Sequence, residues 1–189
     1  MGHALFTQLL MPKMLHAVHD SPKDSVRIIL SSSIGALNSR GKNGLALDRM
    51  KTDGREFGQL NCYGHSKLAA SLFAKKLANV YPSIVSTSHH PGTVKSTIWG
   101  KTEGAWWIAL AGPIVWLTGV TIDEGAKTGL WSATAATGKG GVENGKFYFP
   151  IGVDKDNDKF MNSGKLQDEL WQWTNEELAK HGGPGWPEA

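Results

Sequence analysis

A short apolar run that ends in three serines is the feature that most constrains the fold of this chain. Residues 26–30 are apolar apart from Arg27 and partly β-branched, and Ser31, Ser32 and Ser33 follow them before Gly35. Such a run is typical of a strand that is buried in a parallel sheet and then breaks into a loop. The sequence therefore predicts a parallel strand at this position, with small polar side chains at its carboxyl end.

The segments that follow predict a helix and a second strand. Residues 62–81 have a helical pattern, and residues 83–88 form a β-rich run that Pro91 and Gly92 stop. Further along, residues 123–136 predict a helix, residues 146–149 a strand and residues 165–180 a C-terminal helix. Strands that alternate with helices indicate an α/β domain with a parallel sheet.

Tyr63 and Lys67 lie four residues apart on the first of these helices, so they project from one face. Tyrosine has an ordinary pKa of about 10, and a cation held beside a tyrosine favours the phenolate. Such a pair is suited to moving a proton on and off a carbonyl or alcohol oxygen. The spacing alone also fits a packed tyrosine beside a solvated lysine, so the surrounding sequence decides between the two interpretations.

Composition limits the function classes. The 189 residues, 40% of them hydrophobic, predict one globular domain over residues 1–189. The net charge of +3 is mild and the basic residues are scattered, so we expect no nucleic-acid partner. A single cysteine excludes an internal disulfide and favours a reducing, cytoplasmic compartment. The histidines lack a third ligand at suitable spacing, so we expect no metal site.

Four motifs in this order resemble the short-chain dehydrogenase/reductase family. Three of them are the serine strand, the Tyr-x-x-x-Lys helix and the run His90-Pro91-Gly92-Thr93-Val94-Lys95-Ser96. The fourth is residues 2–10, which resemble the helix before the serine strand in the retinol-dehydrogenase-like branch. The resemblance spans residues 2–149 and is to the C-terminal half of the family's domain.

The resemblance implies a partial Rossmann-like fold, with the last three strands of a doubly wound parallel sheet and their flanking helices. The N-terminal βαβ cofactor half is missing, because no glycine-rich turn joins a first strand to a first helix. Residues 137–145 are glycine-rich but follow a helix and precede a strand, which is the reverse order. The strand at residues 26–30 would then be a hydrophobic edge, which predicts a poorly soluble chain or one protected by a partner.

The resemblance also implies catalytic roles. Tyr63 would donate or accept the proton, Lys67 would support it, and Ser32 would bind the substrate oxygen. Ser31 and Ser33 flank Ser32, so the register of this assignment is open by one residue.

The cofactor implied is NADP or NAD, with NADP favoured. Tyr63 and Lys67 would contact it, and Lys67 would hold its ribose. Val94 and Ser96 match positions that contact the nicotinamide amide in relatives, where a threonine is commoner than Ser96. The implied reaction is hydride transfer to or from a carbonyl or secondary alcohol.

Residues 97–122 correspond to the family's variable substrate flap. This segment holds four of the eight tryptophans, which favours a small lipophilic or aromatic carbonyl or alcohol substrate, although packing in the core is the alternative. Residues 104–122 carry no charge, and Gly112 and Pro113 interrupt them. Contact with a membrane surface, and hence a membrane-associated location, therefore stays open beside the flap interpretation.

Two functions from different classes follow. The first is an NAD(P)-dependent oxidoreductase. The second is a non-catalytic, truncated homologue that acts as an interaction or dimerisation partner. The helices at residues 2–17 and 62–81 correspond to those that pair subunits in many relatives, so we expect a homo-oligomer or another partner at these helices.

Overall fold

A computed structural model describes residues 1–38, 43–95 and 116–189. Its main helices are α1 (Gly2–Asp20), α2 (Gly35–Asn38), α3 (Gln59–Val80), α4 (Ile122–Thr134) and α5 (Gly164–Lys180). Its strands are β1 (Arg27–Ser31), β2 (Val85–His89), β3 (Phe147–Phe149) and β4 (Val153–Asp154). Two 3-10 turns, Leu47–Arg49 and Arg55–Phe57, lie between α2 and α3.

The strands form one sheet in the order β1-β2-β3-β4. The first three strands are parallel, with Arg27 beside Val85 and Ser88 beside Phe147, as the alternation of strands and helices predicts. This arrangement confirms the predicted α/β class and the partial Rossmann-like sheet. The short antiparallel strand β4 was not predicted, because a two-residue strand has too few positions to show a period of two.

Helices cover both faces of the sheet. On one face, α1, α3 and α5 share a single apolar core with β1 and β3, centred on side chains that are almost fully buried: Met11, Leu68, Leu72, Leu77, Ile84, Phe147 and Met161. On the other face, Trp131 of α4 packs edge-on against Tyr148 of β3, with ring centroids 4.9 Å apart. The site at the end of β1 is therefore held between packed layers.

Small polar side chains fix the position of α3 on the sheet. The Ser88 hydroxyl donates to Ser71, the Ser71 hydroxyl donates to Ser32, and the Ser32 hydroxyl donates to the main-chain carbonyl of Lys67 at 2.7 Å. Small side chains allow the helix to approach the strands closely, and each of these three hydroxyls has a partner. This series of hydrogen bonds ends at the main-chain carbonyl of Lys67.

Of the predicted substrate flap at residues 97–122, residues 97–115 lie outside the described part of the chain. Where the described chain resumes, Trp116 and Leu117 are both about three-quarters exposed, at 75% and 77%. Within the described ranges, no helix combines the length and the apolar character that crossing a bilayer requires.

Candidate active site

Tyr63 lies in the first turns of α3, where the helix passes over the loop that follows β1. Its side chain is 43% exposed. The point where a Cβ on Gly35 would stand is 2.8 Å from Cε1 of the Tyr63 ring. A side chain at position 35 would therefore collide with the ring, and this explains why glycine follows the three serines.

The hydroxyl of Ser33 lies beside the same tyrosine. A Cβ atom added to Gly35 would lie 2.8 Å from the Tyr63 ring and 3.6 Å from Ser33 Oγ. Ser33 is buried, and its oxygen accepts a hydrogen bond from the main-chain N–H of Gly35 at 3.1 Å. Since this oxygen acts only as an acceptor there, its own proton is available to a substrate oxygen.

The hydroxyl of Ser32 points elsewhere. It donates to the main-chain carbonyl of Lys67 and accepts from Ser71, inside the contact between α3 and the sheet. The side chain is 2% exposed. The Ser32 hydroxyl is thus engaged with other protein groups in this structure, and the assignment of the substrate oxygen to Ser32 or to Ser33 stays a prediction.

Lys67 lies one turn after Tyr63. Its Nζ is 5.6 Å from the centre of the Tyr63 ring and donates to the main-chain carbonyl of Ser31 at 3.1 Å. Partial burial lowers the pKa of the Lys67 ammonium. The lysine and the tyrosine therefore meet at the carboxyl end of β1, where open α/β sheets bind their ligands.

The two residues predicted to contact the nicotinamide differ in what the structure describes. Val94 is half-buried, and its side chain packs on Gly125 of α4, 2.5 Å from the point where a Cβ would stand. The main chain on both sides of it pairs with Val120. Ser96 lies outside the described residues.

The carboxyl end of β2 carries two buried histidines, His89 and His90, to which the sequence analysis assigned no role. Burial lowers the pKa of His89, and the charge of Lys67 lowers it further. Burial lowers the pKa of His90 as well, and the adjacent His89 adds to that effect. Neither Nδ1 atom has a hydrogen-bond partner within the described part of the chain. Burial therefore favours the neutral form of both rings, and His89 lies close enough to Lys67 for the lysine charge to act on it.

This arrangement predicts a loss of stability in mild acid. A histidine whose pKa is lowered by folding binds its proton more tightly in the unfolded chain. Its contribution to the free energy of unfolding is therefore complete above about pH 6.5 and is lost as the pH falls below that value. We expect the urea midpoint of the protein to fall between pH 7.5 and pH 5. His89→Gln should reduce the fall. An equal dependence of the urea midpoint on pH in wild type and His89→Gln would contradict this assignment. His19→Gln, at an exposed position, is the control.

The described residues suit the ribose and nicotinamide of a nicotinamide cofactor, but not its pyrophosphate. Lys67, Tyr63 and the loop after β1 offer donors for a ribose and a nicotinamide. The described residues contain no strand, glycine-rich turn and helix in the order that binds a pyrophosphate. Glycine-rich residues 137–145 connect α4 to β3, as the reversed order predicts, and not a strand to a helix. No three His, Cys, Asp or Glu side chains in the described ranges cluster as metal ligands would.

Two further residues lie near Tyr63 and Lys67 that the sequence analysis assigned no role. Ser33 was named only as a neighbour of Ser32, because three adjacent serines give no signal of which hydroxyl faces the loop. His89 was set aside with the other histidines, since a pair of adjacent histidines does not show which ring is buried.

Comparisons with known proteins agree with the geometry. No protein-family profile matches the chain. A short-chain dehydrogenase/reductase of Armillaria gallica is 28% identical over 174 residues, which cover 91% of this chain and 53% of the relative. Human dehydrogenase/reductase SDR family member 13 is 33% identical over 135 residues, which cover 70% of this chain and 33% of that protein.

A solved structure gives the same fold. The crystal structure of an uncharacterized protein from Mycobacterium paratuberculosis matches with a TM-score of 0.52 at 19% identity, over 82% of this chain and 50% of that one. This chain spans about half the length of the Armillaria relative and a third of the human one. The named relatives, the order of the motifs and the meeting of Tyr63 with Lys67 lead to one conclusion. The chain belongs to the short-chain dehydrogenase/reductase family and corresponds to the half that carries the tyrosine and the lysine.

Proposed function

We propose that this chain is the catalytic half of an NAD(P)-dependent oxidoreductase that acts on a carbonyl or secondary alcohol of a small lipophilic molecule. The observation that carries the proposal is the meeting of Tyr63, Lys67 and the Ser33 hydroxyl at the carboxyl end of β1. The relatives are named as dehydrogenases or reductases, which supports an oxidoreductase.

Each side chain has a role in this proposal. Ser33 donates a hydrogen bond to the substrate oxygen, and the Tyr63 hydroxyl gives that oxygen a proton during reduction and takes it back during oxidation. The Lys67 cation favours the tyrosinate that remains. When bound, the nicotinamide supplies or accepts the hydride at the substrate carbon. The proton and the hydride together account for the two hydrogens gained by the carbonyl group.

The lipophilic character of the substrate rests on the tryptophan-rich segment. Trp116 and Leu117 are exposed where the described chain resumes. Exposed apolar side chains are expected in a site that binds an apolar ligand. The single free cysteine supports a cytoplasmic site of action.

A second candidate is a non-catalytic partner protein. The chain spans about half of its Armillaria relative, and the described residues lack a pyrophosphate turn. Titration of NADPH and NADH against the tryptophan fluorescence of the chain separates the candidates. Saturable binding at about micromolar cofactor supports catalysis by the chain itself. The absence of quenching at about millimolar cofactor rejects catalysis by the isolated chain and favours the partner function.

The two serines give a matched test of the site. Ser33→Ala is expected to lower kcat by about 10- to 100-fold. It is also expected to cost about 1 kcal/mol of unfolding free energy, because the Gly35 N–H loses its acceptor. Ser32→Ala is expected to cost about 1–3 kcal/mol of unfolding free energy, because it leaves Ser71 and the Lys67 carbonyl without their partner. Urea titrations and initial rates on both variants decide the matter. A larger rate loss in Ser32→Ala than in Ser33→Ala would return the role to Ser32.

A further inference from the structure

The segment between α2 and α3 packs on the first turns of α3. It is described over residues 43–58 and contains the two 3-10 turns. The side-chain amide of Asn61 donates to the carbonyl of Phe57 at 2.8 Å, and the Cys62 thiol donates to the carbonyl of Gly54 at 3.5 Å. These side-chain hydrogen bonds from the first turn of α3 therefore run to the 43–58 segment and not to the sheet.

The start of α3 lacks the usual supports of a helix N-terminus. Its N-cap residue is Gly58, which has no side-chain acceptor, and its first turn carries no acidic side chain. A capping side chain or a carboxylate would satisfy the free N–H groups and the helix dipole there. Lys67, by contrast, is fixed to the sheet through both its carbonyl and its ammonium. The turn that carries Tyr63 therefore depends on the 43–58 segment for its position.

His65 is a buried contact between this turn and the segment. Its side chain is 4% exposed. Its Nδ1 atom accepts a hydrogen bond from the main-chain N–H of Ala46 at 3.3 Å. Its ring also meets the ring of Phe57 edge-on, with centroids 4.9 Å apart. Because Ala46 is near the start of the segment and Phe57 near its end, one imidazole holds both ends.

The segment is itself fixed to the body of the fold. Leu45 belongs to the main apolar core, and Met50 packs against that core. The ammonium of Lys51 lies 2.6 Å from the carboxylate of Glu177 on α5. The contacts of His65 therefore connect the start of α3 to a supported part of the structure.

The hydrogen bond from Ala46 requires a neutral imidazole. A protonated histidine donates from both nitrogens and has no acceptor left. Burial lowers the pKa of His65, which favours the neutral ring. The Nδ1 lone pair is then free to accept the Ala46 N–H.

We propose that His65 is a positioning residue, which holds the 43–58 segment against the first turns of α3 and so fixes the Tyr63 hydroxyl relative to Lys67. This inference rests on the proposed function, because it concerns the tyrosine that transfers the proton. His65 follows Tyr63 by two residues on the helix, so the two side chains point in different directions. His65 therefore acts through the backbone of the turn, and a displacement of about 1 Å there can lower a rate by about 100-fold.

Two substitutions separate the acceptor from the ring. His65→Phe keeps a ring against Phe57 but removes the acceptor, and it should lower kcat at least about tenfold with KM within about threefold. His65→Asn places a carbonyl oxygen near the position of Nδ1, and it should keep kcat within about threefold of the wild type. His19→Phe, at an exposed position on α1, is the control and should leave kcat unchanged.

Two further readouts do not depend on turnover. The amide of Ala46 should exchange with solvent at least about fivefold faster in His65→Phe than in the wild type, and within about twofold in His65→Asn. In protein with ¹³C-labelled tyrosine, the chain gives three tyrosine signals, from Tyr63, Tyr81 and Tyr148. The Tyr63 signal should shift or broaden in His65→Phe only, while the other two stay in place.

A variant on the segment covers the case in which His65→Phe does not fold. Phe57→Leu leaves α3 unchanged and removes the ring that meets His65. Phe57 is half-buried, so the fold should tolerate the change. We expect the Tyr63 signal to shift in this variant as well. Circular dichroism checks the fold of every variant.

Three outcomes would overturn the inference. The first is an Ala46 exchange rate and a Tyr63 signal that do not change in folded His65→Phe or, if that variant does not fold, a Tyr63 signal that does not change in Phe57→Leu. The second is equal loss of kcat in His65→Asn and His65→Phe, because the acceptor would then have no role. The third is a rise in KM with unchanged kcat in His65→Phe. If the wild type turns over no substrate, the proposed function fails, and the exchange rate and the tyrosine signal decide on His65 alone.

Discussion

Replacement of Tyr63 by phenylalanine is expected to lower kcat by about 10²- to 10⁴-fold and to leave the fold intact. The ring stays against Gly35, so its packing is retained, and only the hydroxyl that transfers the proton is lost. The measurement is NAD(P)H oxidation with lipophilic aldehydes and ketones. Wild type and variant are assayed side by side under the same conditions.

The other tyrosines supply the control. Tyr81 is buried, and its hydroxyl donates to the main-chain carbonyl of Pro187 at 2.7 Å, far from Tyr63 in the fold. Tyr81→Phe is expected to cost about 1 kcal/mol of unfolding free energy and to leave the turnover unchanged. Equal turnover in wild type and Tyr63→Phe would remove Tyr63 from the proposed chemistry.

Replacement of Lys75 by methionine is expected to cost about 3–5 kcal/mol of unfolding free energy. Lys75 on α3 forms an ion pair of 2.5 Å with Asp156, in which both side chains are less than a tenth exposed, at 9% and 8%. The ammonium also donates to the main-chain carbonyl of Gly145 at 2.8 Å. Without the lysine, the Asp156 carboxylate would stay buried with only Lys146, 3.9 Å away, to compensate it.

The pH dependence of this loss distinguishes it from a simple packing defect. Burial raises the pKa of Asp156, and the neighbouring Lys75 opposes that effect. Lys75→Met removes the effect of Lys75 on the pKa of Asp156. Asp156 therefore destabilises the fold most at pH values at which its carboxyl is charged. The deficit is therefore expected to shrink as the pH falls toward 4, as the carboxyl takes up its proton. A deficit that is constant with pH would assign the loss to packing.

Lys76 is the matched control for this experiment. It is the next residue of α3, and its ion pair with Asp168 at 2.7 Å involves a carboxylate that is 69% exposed. Lys76→Met is expected to cost less than about 1 kcal/mol, because water screens exposed pairs. Urea titration of both variants at pH 7 measures the difference.

Much of the fold could be predicted from local patterns. The helix predicted at residues 62–81 is α3, Gln59–Val80, and the strand predicted at residues 26–30 is β1, Arg27–Ser31. These segments have strong periodicity and clear stops, such as the serines after β1 and the Pro-Gly pair after β2. Among the described strands β1 lies at an edge of the sheet, as the sequence analysis predicts.

The site could be predicted in part. Tyr63 and Lys67 were found because a helix places residues four apart on one face, and this relation depends on local geometry alone. The choice between Ser32 and Ser33 depends instead on what each face of β1 meets. The structure places Ser32 against Ser71 and the Lys67 carbonyl, while Ser33 lies beside Tyr63.

The sequence by itself determined the order of strands and helices, the Tyr-Lys pair and the absence of a pyrophosphate turn in its expected place. These follow from interactions between residues a few positions apart. Only the tertiary structure decided which protein groups the Ser32 and Ser33 hydroxyls contact, that His89 lies close to Lys67, and that one of two adjacent lysines is buried. The physical reason is that burial and charge at these positions depend on partners distant in sequence, and a local pattern carries no record of them.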